Sequence, residues 1–484
     1  MTFVDRIRWQ CRMRPEKPAL SLPGSSRATV SYGQLSHHLD SVRRKLSEVA
    51  IVPGAVYGLL MTDPLLHVVL TLALEELGAA TMFLNDLDIP HDWKLSAIFS
   101  DREIAKSNWP IQRVHANWLH GDSNDARPNQ IRTRSPDDIC CVILTSGSTG
   151  NPKAVALTHR VRAQRIARLD YALGSGFAHH TRMLCCLTPS TEFGYRCLIR
   201  TLSRGGLFCF PNASIVSTAR KVSFYGVQTL VASAATLAEF LKVAQEGRTG
   251  FHSLELIVTA GSLLPKALAD SVRDKICGRI VNTYGSTEAG GVATAPVEML
   301  DLDNGEVGFV NPGIEVDVVD AETRAPLKDR GGRLRIRSEG VARGYLGASN
   351  DDGIFDDNAF YADDLGYLSA DGRLSLYGRN NSVVNLGGDK TSLERIEALY
   401  SAAPGVNDLT AAVVSDGLGL NRVIAVVVPS TDWSEQAFWD HCERHIQRAF
   451  WPSKLLTVEA LPRSANGKLD RRKVEALVEP IAIV

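Results

Sequence analysis

The sequence predicts an α/β protein: a large N-terminal domain of parallel α/β sheets plus a small β-barrel, then a small mobile α+β C-terminal domain. Three observations predict it. Short apolar runs of strand length alternate with helical patterns through most of the chain, as parallel strands with crossover helices require. From about residue 301 the pattern changes to short strands separated by turn residues. Beyond GRNNS (378–382) strands and helices mix afresh over roughly a hundred residues. A chain of 484 residues exceeds one ordinary core, and the boundaries fall at 1–380 and 381–484.

The elements follow in chain order. From Ser31 the residues Leu35, Leu39, Val42, Leu46 and Val49 recur at helical spacing, with charges on the other face. The most apolar stretch, LLHVVLTLALEELGAATMFL (65–84), is interrupted by Glu75 and Glu76. It reads as a buried helix leading into a strand, since a membrane span needs an unbroken apolar run. Strands are expected at CCVIL (140–144), GLFCF (206–210), QTLVA (228–232), ELIVT (255–259) and RIVNT (279–283), with helices such as TLAEFLKVAQEG between them. GEVGFV, IEVDVVD and GRLRIRS are the expected barrel strands. The C-terminal region offers LTAAVVS (409–415), RVIAVVVP (422–429), an amphipathic helix around 434–450 and the basic loop SANGKLDRR.

Composition narrows the function. The formal net charge is -1 with both signs mixed, which argues against a nucleic-acid or membrane surface. The start, MTFVDRIRWQ, carries no apolar signal segment. Nine scattered cysteines without C-x-x-C spacing are expected to be buried thiols of a cytoplasmic protein, not disulfides or a metal site.

Four stretches carry chemistry. In LTSGSTGNPKAVALTH (144–159), Thr145, Ser146, Ser148 and Thr149 surround Gly147 and Gly150, with Lys153 following. Backbone amides, hydroxyls and one mobile cation make a phosphate cradle in outline. It is not a Walker A loop, because Lys153 is followed by Ala154. In NTYGSTEAGG (282–291), Tyr284 can stack on a base, Thr287 can bond a phosphate oxygen and Glu288 can hold Mg²⁺. In FYADDLGYLSADGRLSLYGRNN (360–381), Asp364 can accept both hydroxyls of a ribose, with Arg379 adding a second contact. In LPRSANGKLDRR (461–472), Lys468 follows Gly467. Each is weak singly.

Taken in order, from SYGQL (31–35) to NGKLDRR, the set resembles the adenylate-forming superfamily: acyl-CoA and aryl-CoA ligases, amino-acid adenylation domains and luciferases. The resemblance implies that Thr145, Ser146, Gly147, Ser148, Thr149, Gly150 and Lys153 handle the ATP β- and γ-phosphates. It implies that Gly261 and Ser262 face adenine, that Tyr284 stacks on it within the Tyr284-Gly285-Ser286 turn, and that Thr287 meets the α-phosphate. Glu288 would be the Mg²⁺ ligand, Asp364 and Arg379 the ribose site, Asn381 the hinge, and Lys468 the bridge between substrate carboxylate and ATP. The second half-reaction would deliver the acyl group to CoA or a phosphopantetheine carrier protein, past Gly387 and Gly388 in NLGGDKTSLERIE (385–397).

The chain departs from the family pattern at several places. Ala154 follows the lysine where glycine is usual, Ala362-Asp363-Asp364 replaces Thr-Gly-Asp, Asn381 replaces a charged hinge residue, and Arg395 stands where the first glutamate of Glu-Ile-Glu is usual. The substrate segment implied by the resemblance is LTPSTEFGYRCLIRTLSRGG (187–206), with Thr191, Glu192, Phe193 and Gly194 at its centre. Two readings of this segment stand. Either Glu192 pairs with a substrate amine, making a free-standing amino-acid or aminoaryl enzyme, or the segment serves an aryl or acyl acid and Glu192 faces solvent or caps a helix. Beside both stands a catalytically impaired binding member of the family.

Overall fold

The computed structural model describes residues 2–24, 29–87, 89–90, 93–121, 134–145, 153–247, 250–328, 330–347, 353–356, 359–379, 383–386, 389–415, 421–463 and 469–480. The chain forms two compact units: Met1–Val316 with Ile336–Tyr361, and Asp317–Arg335 with Ala362–Val484. The boundary proposed at residue 380 falls inside the second.

The first unit holds two sheets. One runs Ile111–Arg113, Leu95–Ser100, Val56–Leu60, Ala80–Phe83, Ile139–Thr145, Lys153–Thr158, parallel except for its last hairpin. The other has a parallel core ordered Ile280–Ser286, Leu256–Ala260, Thr229–Ala232, Arg182–Cys185, Leu207–Cys209, Pro18–Ser21. Every residue of Val56–Leu60, Thr229–Ala232 and Leu256–Ala260 is buried, as expected of parallel strands covered on both faces. Ile280–Ser286 then reverses into Gly290–Pro296, which pairs antiparallel with Glu306–Val310. The strand GEVGFV, expected in a barrel, thus extends the large sheet.

Local signals explain the helices. Ser31 caps Tyr32–Ser47, and Gln34 returns the bond to its amide as a capping box. Leu35, Leu39, Val42 and Leu46 are fully buried along one face. Asp63 caps Pro64–Glu76, a helix buried nearly throughout. The two acids that interrupt its apolar run are 1% exposed. Each has an arginine. Arg162 donates to both oxygens of Glu75 at 2.8 and 2.6 Å, while Arg8 donates to Glu76 at 2.9 Å and Arg43 lies 3.4 Å from it. Burial raises the Glu75 pKa, but the charge and bonds of Arg162 outweigh it and hold the carboxyl below its ordinary range. All nine cysteines are free. Among the described residues no helix is long and apolar enough to cross a membrane.

In the second unit, Asp364–Leu368 pairs antiparallel with Leu374–Arg379. Val406–Ser415 and Asn421–Pro429 form a long antiparallel pair that Lys454–Thr457 joins in parallel. Helices Leu393–Ser401, Glu435–His445 and Arg471–Val478 accompany them. The helix expected over 434–450 ends at His445, because Ile446 turns to extended backbone and buries its side chain in the core.

Two stability outcomes follow. Glu75→Ala strands the Arg162 charge and should cost about 3–5 kcal/mol, whereas adding Arg162→Met should recover part of that loss in denaturant titrations. His67, with Nε2 buried and its ring 4.9 Å from Phe83, has its pKa pushed down by burial to about 4. Its folded pKa lies below the ordinary 6.5, so between these values the unfolded chain takes a proton that the fold refuses. Stability should therefore fall as pH drops from 6.5 towards 4, by up to about 3 kcal/mol from this residue. His67→Gln should flatten the melting temperature across that window, and an unchanged slope would assign the acid loss elsewhere.

Candidate active site

Strands of the first unit bring Thr145, Gly261 and Tyr284 to their carboxyl ends, where open α/β sheets bind ligands. Thr145 ends Ile139–Thr145 and pairs with Lys153, the first residue of the returning strand. Ser146, Gly147, Ser148, Thr149 and Gly150 lie outside the described residues. Lys153 Nζ sits 5.0 Å from the centre of the Tyr345 ring, within cation–π range. Tyr345 is carried there by a bridge to Val155 and by the amide of Leu346 donating to Ala154 O at 2.7 Å. Its hydroxyl donates to Glu288 Oε1 at 3.1 Å. Two residues far apart in sequence, Lys153 and Glu288, are thereby joined through one tyrosine.

Ala260 pairs with Thr283, so Gly261 and Tyr284 leave adjacent strands at one level. Gly261 and Ser262 are exposed and Tyr284 is half-buried. Gly285 lies in the tight reversal, and Ser286 Oγ accepts from the Ala289 amide at 3.1 Å. Thr287 is half-buried and Glu288 is 9% exposed. Among the described residues the Glu288 carboxylate has no cationic partner, only the Tyr345 hydroxyl. A nearly buried carboxylate in that state is costly unless a cation completes it, and hard carboxylate oxygen suits Mg²⁺. Glu288 therefore fits the metal expected there.

Arg165, on helix His159–Ala172, is fully buried behind this turn. It donates to Thr287 O at 2.9 Å, Glu288 O at 2.7 Å and Gly340 O at 2.8 Å. Its remaining charge meets Glu192 Oε1 at 3.2 Å, while Arg196 holds Glu192 Oε2 at 3.1 Å. The expected placement of Glu192, facing solvent or capping its helix, needs correction, since Thr191 is the cap. It is 7% exposed, so it does not face solvent. Its two oxygens are each held by a guanidinium, so within the protein its charge is already paired. Thr191 caps helix Glu192–Ser203 by accepting from the Gly194 amide. A Cβ on Gly194 would lie 2.2 Å from Thr188 O, so this helix start packs on the loop before it only with glycine there. The Phe193 ring is half-buried, with the Arg196 guanidinium 4.7 Å from its centre.

The second unit carries the rest. Asp364, half-buried, pairs across its ladder with Arg379. Its neighbour Asp363 lies 3.5 Å from Arg333, which also donates to Ala362 O at 2.7 Å. Asn381, Gly387, Gly388 and Lys468 lie outside the described residues. The base of the Lys468 segment is held by the Arg463–Leu469 bridge and by Asp470 N donating to Pro462 O at 2.9 Å. Arg471 grips both oxygens of Glu397 at 2.7 and 3.0 Å. Glu397 thus serves Arg471, Thr410 and the Ala411 amide, with Arg395 at the other acidic position of the usual motif. Tyr345 and Arg165 were not found by sequence reasoning. Tyr345 gives no spacing signal in ARGYLG, and Arg165 is legible only as one of three arginines, with Arg162 and Arg168, on one helical face.

These two units have the architecture of adenylate-forming enzymes. The chain belongs to the AMP-binding enzyme family, matching it over residues 7–346 and matching the AMP-binding enzyme C-terminal domain over 395–468. It is 27% identical over 500 residues to novobiocin biosynthesis protein H of Streptomyces niveus, covering 95% of this chain and 80% of that protein. It is 24% identical over 494 residues to 2-succinylbenzoate–CoA ligase of Bacillus mycoides, covering 99% of each. Among solved structures, ATP-bound MatB from Rhodopseudomonas palustris superposes with a TM-score of 0.84 at 20% identity over 100% of both chains.

Gly194→Ala tests the helix start. The backbone carbonyl has nowhere to retreat, so unfolding should show a loss of about 2–4 kcal/mol, well above the roughly 1 kcal/mol of helix propensity that alanine would otherwise add. A neutral or stabilising change would show that this helix start does not sit tightly on Thr188.

Proposed function

We propose that this protein activates an aryl or acyl carboxylic acid as its acyl-adenylate and passes the acyl group to the pantetheine thiol of CoA or a carrier protein. A carboxylate oxygen attacks the α-phosphorus of ATP, the bond to the β-phosphate oxygen breaks, and pyrophosphate leaves. The thiol sulfur then attacks the acyl carbon, its proton passes to solvent, and AMP departs. The observation that carries this reading is the nearly buried Glu288 carboxylate, without a cation among the described residues, beside Thr287 and joined through Tyr345 to Lys153. Glu288 would hold Mg²⁺, which supplies positive charge against the phosphates when bound. Thr287 would meet the α-phosphate, and Lys153 with Thr145, Ser146, Gly147, Ser148, Thr149 and Gly150 the departing pyrophosphate.

Gly261, Ser262 and Tyr284 would hold adenine, and Asp364 with Arg379 the ribose. Lys468 would bring the substrate carboxylate to ATP, with Asn381 as the hinge between half-reactions. Charge placement is the main catalytic device here, since a carboxylate and ATP repel each other until cations hold them in line. The aryl or acyl reading is favoured over an amino acid because the nearest candidate for an ammonium partner, Glu192, is neutralised by Arg165 and Arg196. The ATP-bound state of MatB and the 2-succinylbenzoate–CoA ligase activity of the Bacillus mycoides relative support the same class.

A panel of aryl, fatty, aminoaryl and amino acids read by ATP–pyrophosphate exchange tests the reading. Exchange should appear with an aryl or acyl acid and not with α-amino acids, and the nucleotide product should be AMP. In the responding assay, Glu288→Gln should raise the Mg²⁺ requirement. Lys468→Ala should lose adenylation by orders of magnitude yet still convert a supplied acyl-adenylate to thioester. Release of ADP, or exchange driven by α-amino acids alone, would reject the proposal.

A further inference from the structure

Arg165 has donors committed to three separate pieces of the first unit, and two of them, the Thr287–Glu288 turn and the segment after Gly340, lead to the Glu288 carboxylate. Its bonds to Thr287 O and Glu288 O fix the peptide from which those side chains leave. Its bond to Gly340 O fixes the segment that runs on to Tyr345, and the Ala342 amide returns to Glu288 O at 2.8 Å. Tyr345 in turn orients the carboxylate through its hydroxyl. Gly290, with φ +74°, lets this guanidinium approach: a Cβ there would meet Arg165 Nε at 2.8 Å. The fourth anchor is Glu192, the first residue of helix Glu192–Ser203, which Arg196 holds from one turn further on.

We infer that Arg165 is a positioning residue for the metal- and phosphate-facing side chains of Thr287 and Glu288, and that Glu192 acts only through it. The inference rests on the proposed Mg²⁺–ATP site. A flat guanidinium can address three carbonyls and a carboxylate from one buried place. A lysine ammonium of equal charge cannot match that fork. Arg165 itself faces no reactant. Its effect is on where the Glu288 carboxylate points, and a metal whose ligands must sit within fractions of an ångström is sensitive to that.

The test is calorimetric binding of ATP, with Mg²⁺ and in EDTA, alongside thermal melting, for wild type, Arg165→Lys, Glu192→Gln and the double variant. Arg165→Lys should weaken binding of Mg²⁺–ATP about tenfold or more while changing metal-free ATP binding less than about twofold. Glu192→Gln should show the same selective loss to a smaller degree, and the double variant should be no worse than Arg165→Lys alone. A purely structural role would lower the melting temperature and leave the ratio of the two affinities unchanged, which would overturn the inference, as would additive losses. Should Arg165→Lys fail to fold, an unchanged ratio in Glu192→Gln overturns it equally. A wild type that binds no Mg²⁺–ATP would instead overturn the functional reading, and this inference with it.

Discussion

A guanidinium taken out of water must find its carboxylate, and in this chain the Arg165–Glu192 pair is where that constraint organises the site. Leaving either charge alone would cost several kcal/mol. The pair therefore ties helix His159–Ala172 to the start of helix Glu192–Ser203, and the spare donors of Arg165 seize the Thr287–Glu288 peptide. One turn earlier on the same helix, Arg162 does the equivalent for Glu75 and also donates to the Tyr195 hydroxyl at 2.9 Å. Two buried ion pairs on one helix thus hold the flanking helices and the strand-end turn in a fixed relation.

Glu288 is the complement to this arrangement. The arginines neutralise Glu75, Glu76 and Glu192, yet Glu288, almost as deeply placed, receives only a hydroxyl among the described residues. Buried acids of this unit are otherwise matched among the described residues, and on the proposed function the exception is where Mg²⁺ would bind. The same logic disfavours Glu192 as a substrate partner in the proposed function, because its carboxylate is already paired with two guanidiniums.

Much of the fold was legible. Strands buried on both faces read as apolar runs, and the spacing of Leu35, Leu39, Val42 and Leu46 marked the helix after Ser31. The candidate site was legible in part. Thr145 with Lys153, and Tyr284 with Glu288, announced themselves through residue types set just after strands. What could not be read was pairing across long separations. Glu192 looked like a lone acid in a pocket segment because its partner Arg165 lies 27 positions earlier in the chain. Tyr345 gave no signal because its role exists only once the strand Lys153–Thr158 lies beside it. Likewise Glu75 and Glu76 marked the apolar run as non-membrane, but the arginines that make their burial tolerable come from three other helices.

The central claim is that the Glu288 carboxylate is the metal ligand of an ATP site. It is tested most directly by crystals grown with ATP and Mn²⁺, using the anomalous signal of the manganese as a marker that no water or sodium ion can imitate. The account predicts a strong peak within about 2.0–2.4 Å of a Glu288 carboxylate oxygen and against the nucleotide phosphates. A manganese peak bound to the phosphates but remote from Glu288, with the Tyr345 hydrogen bond unchanged, would contradict it.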